Sequence, residues 1–165
     1  MKKHIAILSI GSNMGDKLAN CKQAIAALTA DGSSRILARS AFYKTDPVDY
    51  TDQDWFINTA VKIETTLSPK TLLRNIQKIQ RQAGREKDAV RFGPRIIDID
   101  IIFFDDRISE DPELTIPHPR AHKRRFVLQP ICDIDRQILH PVLKKSAQVL
   151  LDDLQDDTQG IERLE

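Results

Sequence analysis

The chain has 165 residues, of which 41% are hydrophobic and 30% are charged. A single hydrophobic core is typically built from about 100 to 200 residues, so we expect one domain over residues 1–165. This balance fills a core and keeps a polar surface, which excludes a disordered chain or a membrane protein. The formal net charge is only +1. There is therefore no overall basic field of the kind that drives nonspecific nucleic-acid binding.

The termini and the cysteines indicate the compartment. The apolar run within Met1–Ile10 is too short for a signal peptide, and no apolar run reaches the roughly 20 residues that span a bilayer. Cys21 and Cys132 are too few for a disulfide framework and are expected to be buried free thiols. We therefore expect a cytoplasmic protein with no membrane partner and an acidic, solvated tail at about 152–165.

The first half of the chain predicts a strand, a helix and two further strands. A strand over Lys3–Ile10 is expected to end in a turn at Gly11–Asn13. Apolar residues at helical spacing follow over Leu18–Leu28. Alternating apolar residues then predict strands over Arg35–Thr45 and Phe56–Thr65.

The second half completes a βαββαβ order. Ser68 and Pro69 are a typical helix start, and an apolar stripe continues to Gly84. The apolar run Ile96–Phe104 predicts a central strand. This order is typical of the ferredoxin-like fold, an α+β sandwich with helices against an antiparallel sheet. A C-terminal extension with a short helix near Ala147–Leu154 should pack on it.

Two long polar connections, Asp46–Trp55 and Gly84–Arg95, are candidate binding loops. Connections of this length are uncommon in compact domains unless they cover or contact a ligand.

Asp98 and Asp100 lie two residues apart on the predicted last strand. On a strand both side chains point to one face, with Cα atoms about 6.6 Å apart. Two metal ions held by such carboxylates can coordinate phosphate oxygens and orient attacking and leaving oxygens. Hard oxygen ligands favour Mg²⁺. The alternative is a pair of ordinary acids on an exposed strand face.

The segment between Arg74 and Arg95 carries seven basic residues against two acidic ones. Arginine offers planar, permanently charged donors to phosphate oxygens, so Arg85, Arg91 and Arg95 next to the aspartates predict a polyphosphate clamp. A solvated loop is the alternative. Neither a P-loop nor a Rossmann glycine motif occurs in the sequence, so arginines and metal must hold the phosphates.

A slot for a flat ring is indicated by Phe56 and Phe126, each beside polar candidates, although core filling is the simpler interpretation of each ring. Asn58 shares a strand face with Phe56 and can hydrogen-bond a heterocycle edge. The proline-flanked His118 belongs to a predicted nucleotide-contacting loop, and general-base catalysis by it stays open. His122 lies four residues on, but the prolines argue against a helical zinc pair.

Five segments occur in order between about residues 5 and 135: Gly11–Asn13, Phe42–Pro47, Asp52–Asn58, Arg91–Asp100 and Pro117–Arg120. Together they resemble the 6-hydroxymethyl-7,8-dihydropterin pyrophosphokinase family of folate biosynthesis. The resemblance implies transfer of the β,γ-pyrophosphoryl unit of ATP to the pterin hydroxymethyl oxygen. AMP would be released, and ATP would bind first.

The resemblance also assigns residues. It implies two Mg²⁺ ions on Asp98 and Asp100, and catalytic arginines at Arg85 and Arg95. The implied pterin contacts are Thr45, Val48, Phe56, Asn58 and Phe126. Together with the clamp residue Arg91, the implied ATP contacts are Gln77, Lys87, Phe92, Arg95, Ile101, Thr115, His118 and Arg124. Four positions depart from the pattern of many relatives and bear on nucleotide affinity or loop closure: Gln80, Lys87, Phe92 and Glu113.

Two other interpretations remain open at this stage. One is a ferredoxin-like RNA-binding module, which the missing aromatic pattern on the strands disfavours. The other is an ordinary kinase that releases ADP. The expected partners are ATP and the pterin, without nucleic acid or membrane, and the expected state is a monomer.

Overall fold

The computed structural model describes residues 2–47, 52–84, 94–155 and 159–164. Its strands are β1 (His4–Ser12), β2 (Ser34–Arg39), β3 (Phe42–Thr45), β4 (Phe56–Thr65), β5 (Asp98–Phe104), β6 (Ser109–Asp111), β7 (Leu114–Ile116) and β8 (Ile161–Leu164). Its helices are α1 (Lys17–Thr29), α2 (Pro69–Gln82), α3 (Arg125–Asp135) and α4 (Ala147–Asp153), with a 3₁₀ turn at Ala121–Lys123.

The main sheet has the order β5-β1-β4-β3-β8, and β2 also pairs with β4. All the pairings are antiparallel. β2 pairs with the end of β4 and β3 with its start, so the two act as successive halves of one ferredoxin-like strand. The predicted ferredoxin-like α+β fold is confirmed.

The single strand predicted over Arg35–Thr45 is wrong in detail, because the chain breaks at Ser40. The Ser40 N–H donates to the Ala60 carbonyl at 2.9 Å, but the Ala60 N–H donates to Ser40 Oγ at 2.9 Å. The hydroxyl thus replaces a backbone carbonyl in the ladder and ends regular pairing locally.

The two predicted helices are capped from within the sequence. Asp16 accepts from the Ala19 N–H at the start of α1. Ser68 accepts from the Thr71 N–H, with Pro69 in the first turn of α2. Both helices pack on one face of the sheet, where their buried residues form a core with those of the strands. This helix-side core includes Leu8, Cys21, Leu28, Ile63, Leu72, Ile76, Ile99 and Ile101.

α3 covers part of the other sheet face, and the sequence analysis did not predict it. Pro130 lies inside this helix and has no N–H to donate, so the sequence looks like a break. Val127 and Ile131 of α3 pack against Ala60 and Ile102 of the sheet. The candidate site lies on the same face of the sheet, at the ends of β1, β4 and β5.

Three predicted boundaries are corrected. The turn expected at Gly11–Asn13 is wrong, because β1 runs to Ser12 and pairs with β4 and β5 along its length. The last ferredoxin-like strand begins at Asp98 rather than Ile96. The tail is also not simply solvated, because β8 pairs with β3 as an edge strand.

Other expectations hold. The short helix near Ala147–Leu154 is confirmed as α4. Cys21 and Cys132 are free and buried, as predicted, and burial raises the pKa of the Cys21 thiol to about 12. Within the described ranges, no helix is long and apolar enough to cross a membrane.

Candidate active site

The site is organised by a row of residues across three strands. Gly11 of β1 pairs with Asn58 of β4 on one side and with Asp98 of β5 on the other. Neighbouring strands lie about 4.8 Å apart, so the Asn58 and Asp98 backbones are separated by about 10 Å. A side chain at Gly11 would clash with Asn58 Oδ1. The glycine therefore leaves the sheet surface open between an amide and a carboxylate.

The two aspartates lie on the sheet face away from α1 and α2. Ile99 and Ile101 between and after them are buried in the helix-side core, so the alternation of β5 turns Asp98 and Asp100 to the opposite face. Both are half-buried, and Ser9 pairs with Asp100 on β1. The prediction that the carboxylates share one face is confirmed.

The donor set at these aspartates suits a magnesium ion shared with a substrate. Among residues 2–47, 52–84, 94–155 and 159–164, no group of three or more His, Cys, Asp or Glu side chains could hold a metal ion. Mg²⁺ commonly takes one or two protein carboxylates and completes its octahedron with phosphate oxygens and water. Two carboxylates on an open face fit that chemistry.

Asn58 is held in one orientation at the other end of the row. Its Nδ2 donates to Thr45 Oγ1 at 2.6 Å, and both side chains are buried, at 4% and 2% exposed. This bond leaves Oδ1 on the side of Gly11. The predicted pterin contacts Thr45 and Asn58 therefore form one rigid hydrogen-bonded unit.

The two aromatic candidates flank the same sheet face. Phe56 is half-buried at the start of β4 and pairs with Thr45. Phe126 is half-buried in the first turn of α3 and packs against the core beneath that helix. The Arg124 guanidinium carbon lies 5.5 Å from the Phe126 ring centroid. An aromatic ring and a cation thus lie together where α3 begins.

His118 is a neutral histidine close to the charges of Arg124 and Asp98. Burial is the main reason that its pKa falls to about 4, and Arg124 lowers it further while Asp98 opposes the shift. The Arg120 N–H donates to His118 Nδ1 at 3.1 Å. The neutral ring therefore carries its proton on Nε2 and can donate a hydrogen bond. Such a group is a poor general base at neutral pH and a suitable donor to a nucleotide.

Asn13 joins the ends of both long connections, and the sequence analysis gave it no such role. Its Oδ1 accepts from the Arg95 N–H at 2.7 Å, and its own N–H donates to the Arg95 carbonyl at 3.0 Å. Its Nδ2 donates to Gln53 Oε1 at 2.8 Å and to the Asp54 carbonyl at 3.3 Å. Asn13 is 4% exposed. This buried amide fixes the predicted catalytic residue Arg95 relative to the segment before β4.

Lys17 holds the same segment from α1. Its ammonium lies 3.4 Å from the centroid of the Trp55 ring and 2.7 Å from Asp54 Oδ2. The hydrogen bond from Lys17 lowers the pKa of the Asp54 carboxyl. Lys44 lies 4.9 Å from the same ring. The apolar helix pattern of the sequence contained no signal for this cation–aromatic contact.

The other predicted ATP contacts in the described residues lie along β5 and its surroundings. Gln77 is half-buried on α2, and the Ile101 side chain is buried in the helix-side core, so only its main chain can face a ligand. Thr115 Oγ1 donates to the Asp111 carbonyl at 3.2 Å in the β6–β7 hairpin. Gln80 Oε1 accepts from the Ile99 N–H at 2.8 Å. Gln80 therefore binds the outer edge of β5.

Five of the predicted site residues fall outside the described residues: Val48, Arg85, Lys87, Arg91 and Phe92. Their assignments stay predictions.

The fold and the site together define a ferredoxin-like α+β enzyme with paired carboxylates on an open sheet face. A family model described as 7,8-dihydro-6-hydroxymethylpterin-pyrophosphokinase matches residues 7–136. The chain is 42% identical over 135 residues to the 2-amino-4-hydroxy-6-hydroxymethyldihydropteridine pyrophosphokinase of Bacillus subtilis, covering 82% of this chain and 80% of that protein. The chain belongs to this pyrophosphokinase family.

Other relatives differ in length. The protein of the same name from Methylorubrum extorquens is 40% identical over 162 residues, covering 97% of this chain and 98% of that one. The folic acid synthesis protein fol1 of Schizosaccharomyces pombe is 41% identical over 160 residues, but the chain spans only 21% of its length. A solved wild-type HPPK-DHPS of Plasmodium falciparum has the same fold, with TM-score 0.71 at 18% identity, covering 92% of this chain and 44% of that one.

Proposed function

We propose that this chain transfers the pyrophosphoryl group of ATP to the hydroxymethyl oxygen of 6-hydroxymethyl-7,8-dihydropterin and releases AMP. The observation that carries the proposal is the row Asn58–Gly11–Asp98, in which a fixed amide and a carboxylate lie about 10 Å apart on one face of the sheet. This separation allows a flat heterocycle over Gly11 to reach phosphates near the aspartates. The names of the bacterial relatives support the same reaction.

The pterin would lie over Gly11, between Phe56 and Phe126. Offset or edge-on aromatic contacts add about 0.5 to 1.5 kcal/mol beyond the burial of area. Asn58, held by Thr45, would read the polar edge of the ring, and Val48 would add a main-chain contact. A rigid amide favours binding because little side-chain freedom is lost when the ligand arrives.

The triphosphate would lie on the side of Asp98 and Asp100. Arg95, Arg124 and the His118 Nε2–H would donate to its oxygens, and permanently charged guanidinium groups suit phosphate best. Further contacts would come from Gln77, the main chain of Ile101, and Thr115. From the segment outside the described residues, we keep Arg85, Lys87, Arg91 and Phe92 as proposed contacts.

Asp98 and Asp100 would hold Mg²⁺, and we keep the expectation of two ions. When bound, the metal neutralises charge on the phosphate oxygens. In the reaction, the hydroxymethyl oxygen of the pterin bonds to the β-phosphorus and releases its proton to solvent, while the bond from that phosphorus to the oxygen retained by AMP breaks. The residues of the chain align the two substrates, and Arg95 stabilises the negative charge that shifts towards AMP.

The state and location of the protein are also proposals. Free buried thiols at Cys21 and Cys132 fit a reducing compartment, and we place the reaction in the cytoplasm. One relative is named as a mitochondrial protein of Arabidopsis thaliana. The expected monomer can be checked by light scattering.

Phosphorus NMR of the protein with MgATP and 6-hydroxymethyl-7,8-dihydropterin tests the reaction. We expect AMP and a pterin pyrophosphate in equal amounts. ADP would indicate an ordinary kinase and refute the proposal. No nucleotide turnover at all would also refute it and would favour the binding-module interpretation. Omission of the pterin is the control for simple ATP hydrolysis.

A further inference from the structure

The family match ends at residue 136, yet residues beyond it contact two borders of the proposed pterin pocket. We call the segment Gln159–Leu164 the C-terminal strap. It includes β8, which pairs along β3 at the edge of the sheet. Its first two residues reach the start of α3 and the end of β3. The strap therefore joins the start of α3 to the end of β3, the two borders of the proposed pocket.

The Gln159 side chain closes the start of α3. Its Oε1 accepts from the Arg125 N–H at 2.8 Å, and its Nε2 donates to the Lys123 carbonyl at 3.1 Å. Arg124 occupies the N-cap position of α3, and an arginine side chain has only donors, so it cannot accept from the first-turn N–H groups. Gln159 supplies this acceptor from a distant part of the chain. The next residue after Arg125 is Phe126.

Gly160 fixes the strap at the other border. The Asp46 N–H donates to the Gly160 carbonyl at 3.0 Å, and Ile161 pairs with Thr45. A Cβ at Gly160 would clash with the Asp46 carboxylate, so a glycine lets the strap lie close to this side chain. The proposed pterin contact Thr45 thus lies within the paired segment.

We propose that Gln159 and Gly160 are positioning residues for the pterin, because they join the start of α3, next to Phe126, to the end of β3 at Thr45. This inference rests on the proposed function for the identity of the ligand. Two hydrogen bonds from one neutral side chain fix the backbone on either side of Arg124. Loss of the amide would leave β8 paired with β3 but would release the first turn of α3. The effect should therefore fall mainly on pterin binding, with a smaller effect on ATP through Arg124, and should spare the bond network of Asn13 and Arg95.

The test is a comparison of Gln159→Ala with Gln159→Glu and with a matched control. A single hydrogen bond contributes modestly to stability, so loss of both should weaken pterin binding about tenfold. We expect the KM for the pterin to rise about tenfold in Gln159→Ala. The KM for ATP should rise by a smaller factor, because Arg124 is the one proposed ATP contact that lies between the two residues bonded by Gln159. Gln159→Glu keeps the acceptor for the Arg125 N–H and should recover most of the affinity. Gln148, whose Nε2 donates to Asp152 on the exposed side of α4, is the control, and Gln148→Ala should change neither KM.

A second variant and a second measurement separate the possible failures. Gly160→Ala must displace the Asp46 carboxylate, which ends an exposed side chain and can move, so the pterin KM should rise less than in Gln159→Ala. This variant covers the case in which Gln159→Ala does not fold. Equal effects on both substrates, or no effect of either variant, would overturn the inference. If the wild-type protein makes no AMP, the proposed function fails. Even then, amide hydrogen exchange at Arg125 and Phe126 in Gln159→Ala tests whether Gln159 fixes the start of α3. Unchanged protection of these amides would refute that role.

Discussion

Replacement of Gly11 by alanine should damage the site with little change elsewhere. The new Cβ would lie within 3.0 Å of Asn58 Oδ1, a separation that real Cβ atoms essentially never show, and 3.4 Å from its Cγ. Asn58 can yield only by stretching or breaking its 2.6 Å bond to Thr45. An unsatisfied buried polar group costs about 1 to 3 kcal/mol, and overpacking costs about the same.

These terms set the expected size of the effect. If about 2 kcal/mol of strain falls on the orientation of Asn58, pterin affinity should drop about thirtyfold, since about 1.4 kcal/mol corresponds to a factor of ten. The affinity for ATP should stay within about twofold, because neither Gly11 nor Asn58 is among its proposed contacts. Equilibrium fluorescence binding of the pterin, with a nonhydrolysable ATP analogue present, measures the first quantity. Titration of the analogue alone measures the second.

Gly32→Ala is the matched control. Gly32 has φ +79°, and nothing lies within 4 Å of a Cβ built there. Alanine should therefore cost about 1 kcal/mol of unfolding free energy through the left-handed backbone alone, and pterin affinity should not change. Unchanged pterin affinity in Gly11→Ala, or an equal loss in both glycine variants, would show that the pterin does not bind over Gly11 in the row Asn58–Gly11–Asp98.

Three further predictions concern metal, loop and pH. Asp98→Ala and Asp100→Ala should each lower turnover at least about a hundredfold without a change in melting temperature. If steady-state kinetics show wild-type turnover in either variant, that aspartate is not a metal ligand. Asn13→Asp keeps the acceptor for the Arg95 N–H but loses the donor to Gln53 and the Asp54 carbonyl, so kcat should fall about tenfold. Asn13→Leu loses both the acceptor and the donor, so its kcat should fall further. Equal kcat values in the two variants would contradict this. Burial lowers the pKa of His140 below its usual 6.5, so the unfolded chain binds the proton more readily and stability is lost as the pH falls below about 6.5. His140→Asn should make this fall less steep in urea denaturation, and His118, whose pKa burial lowers to about 4, should account for part of what remains. An unchanged pH profile would refute the assignment.

Local features of this protein can be predicted from its sequence. Ser68 and Pro69 predict the start of α2 because capping involves side chains and N–H groups within one turn. Asp98 and Asp100 share a face because the strand period is two residues. The order of the elements predicts the ferredoxin-like fold, and Phe56 and Asn58 share a face for the same reason as the aspartates. Each element in this order, and each shared face, depends on neighbours only a few residues away.

The roles of some residues could not be predicted from the sequence, because they depend on the register in which the strands pair. Gly11 looks like a turn residue in sequence, and only its position between Asn58 and Asp98 explains why it has no side chain. A glycine inside an apolar strand pattern does signal a close approach of other groups, so this residue could have been suspected. The break at Ser40 depends likewise on Ala60, on another strand.

The connections between the borders of the site become visible in the folded chain alone. Asn13 bonds to residues 40 and 82 positions away, and Gln159 caps a helix that begins 34 residues before it. α3 itself was hidden by Pro130, since its stability comes from packing on the sheet rather than from local propensity. Periodicity and caps are encoded in short segments. Contacts between distant segments follow from how the sheet and helices pack, and no local pattern records them.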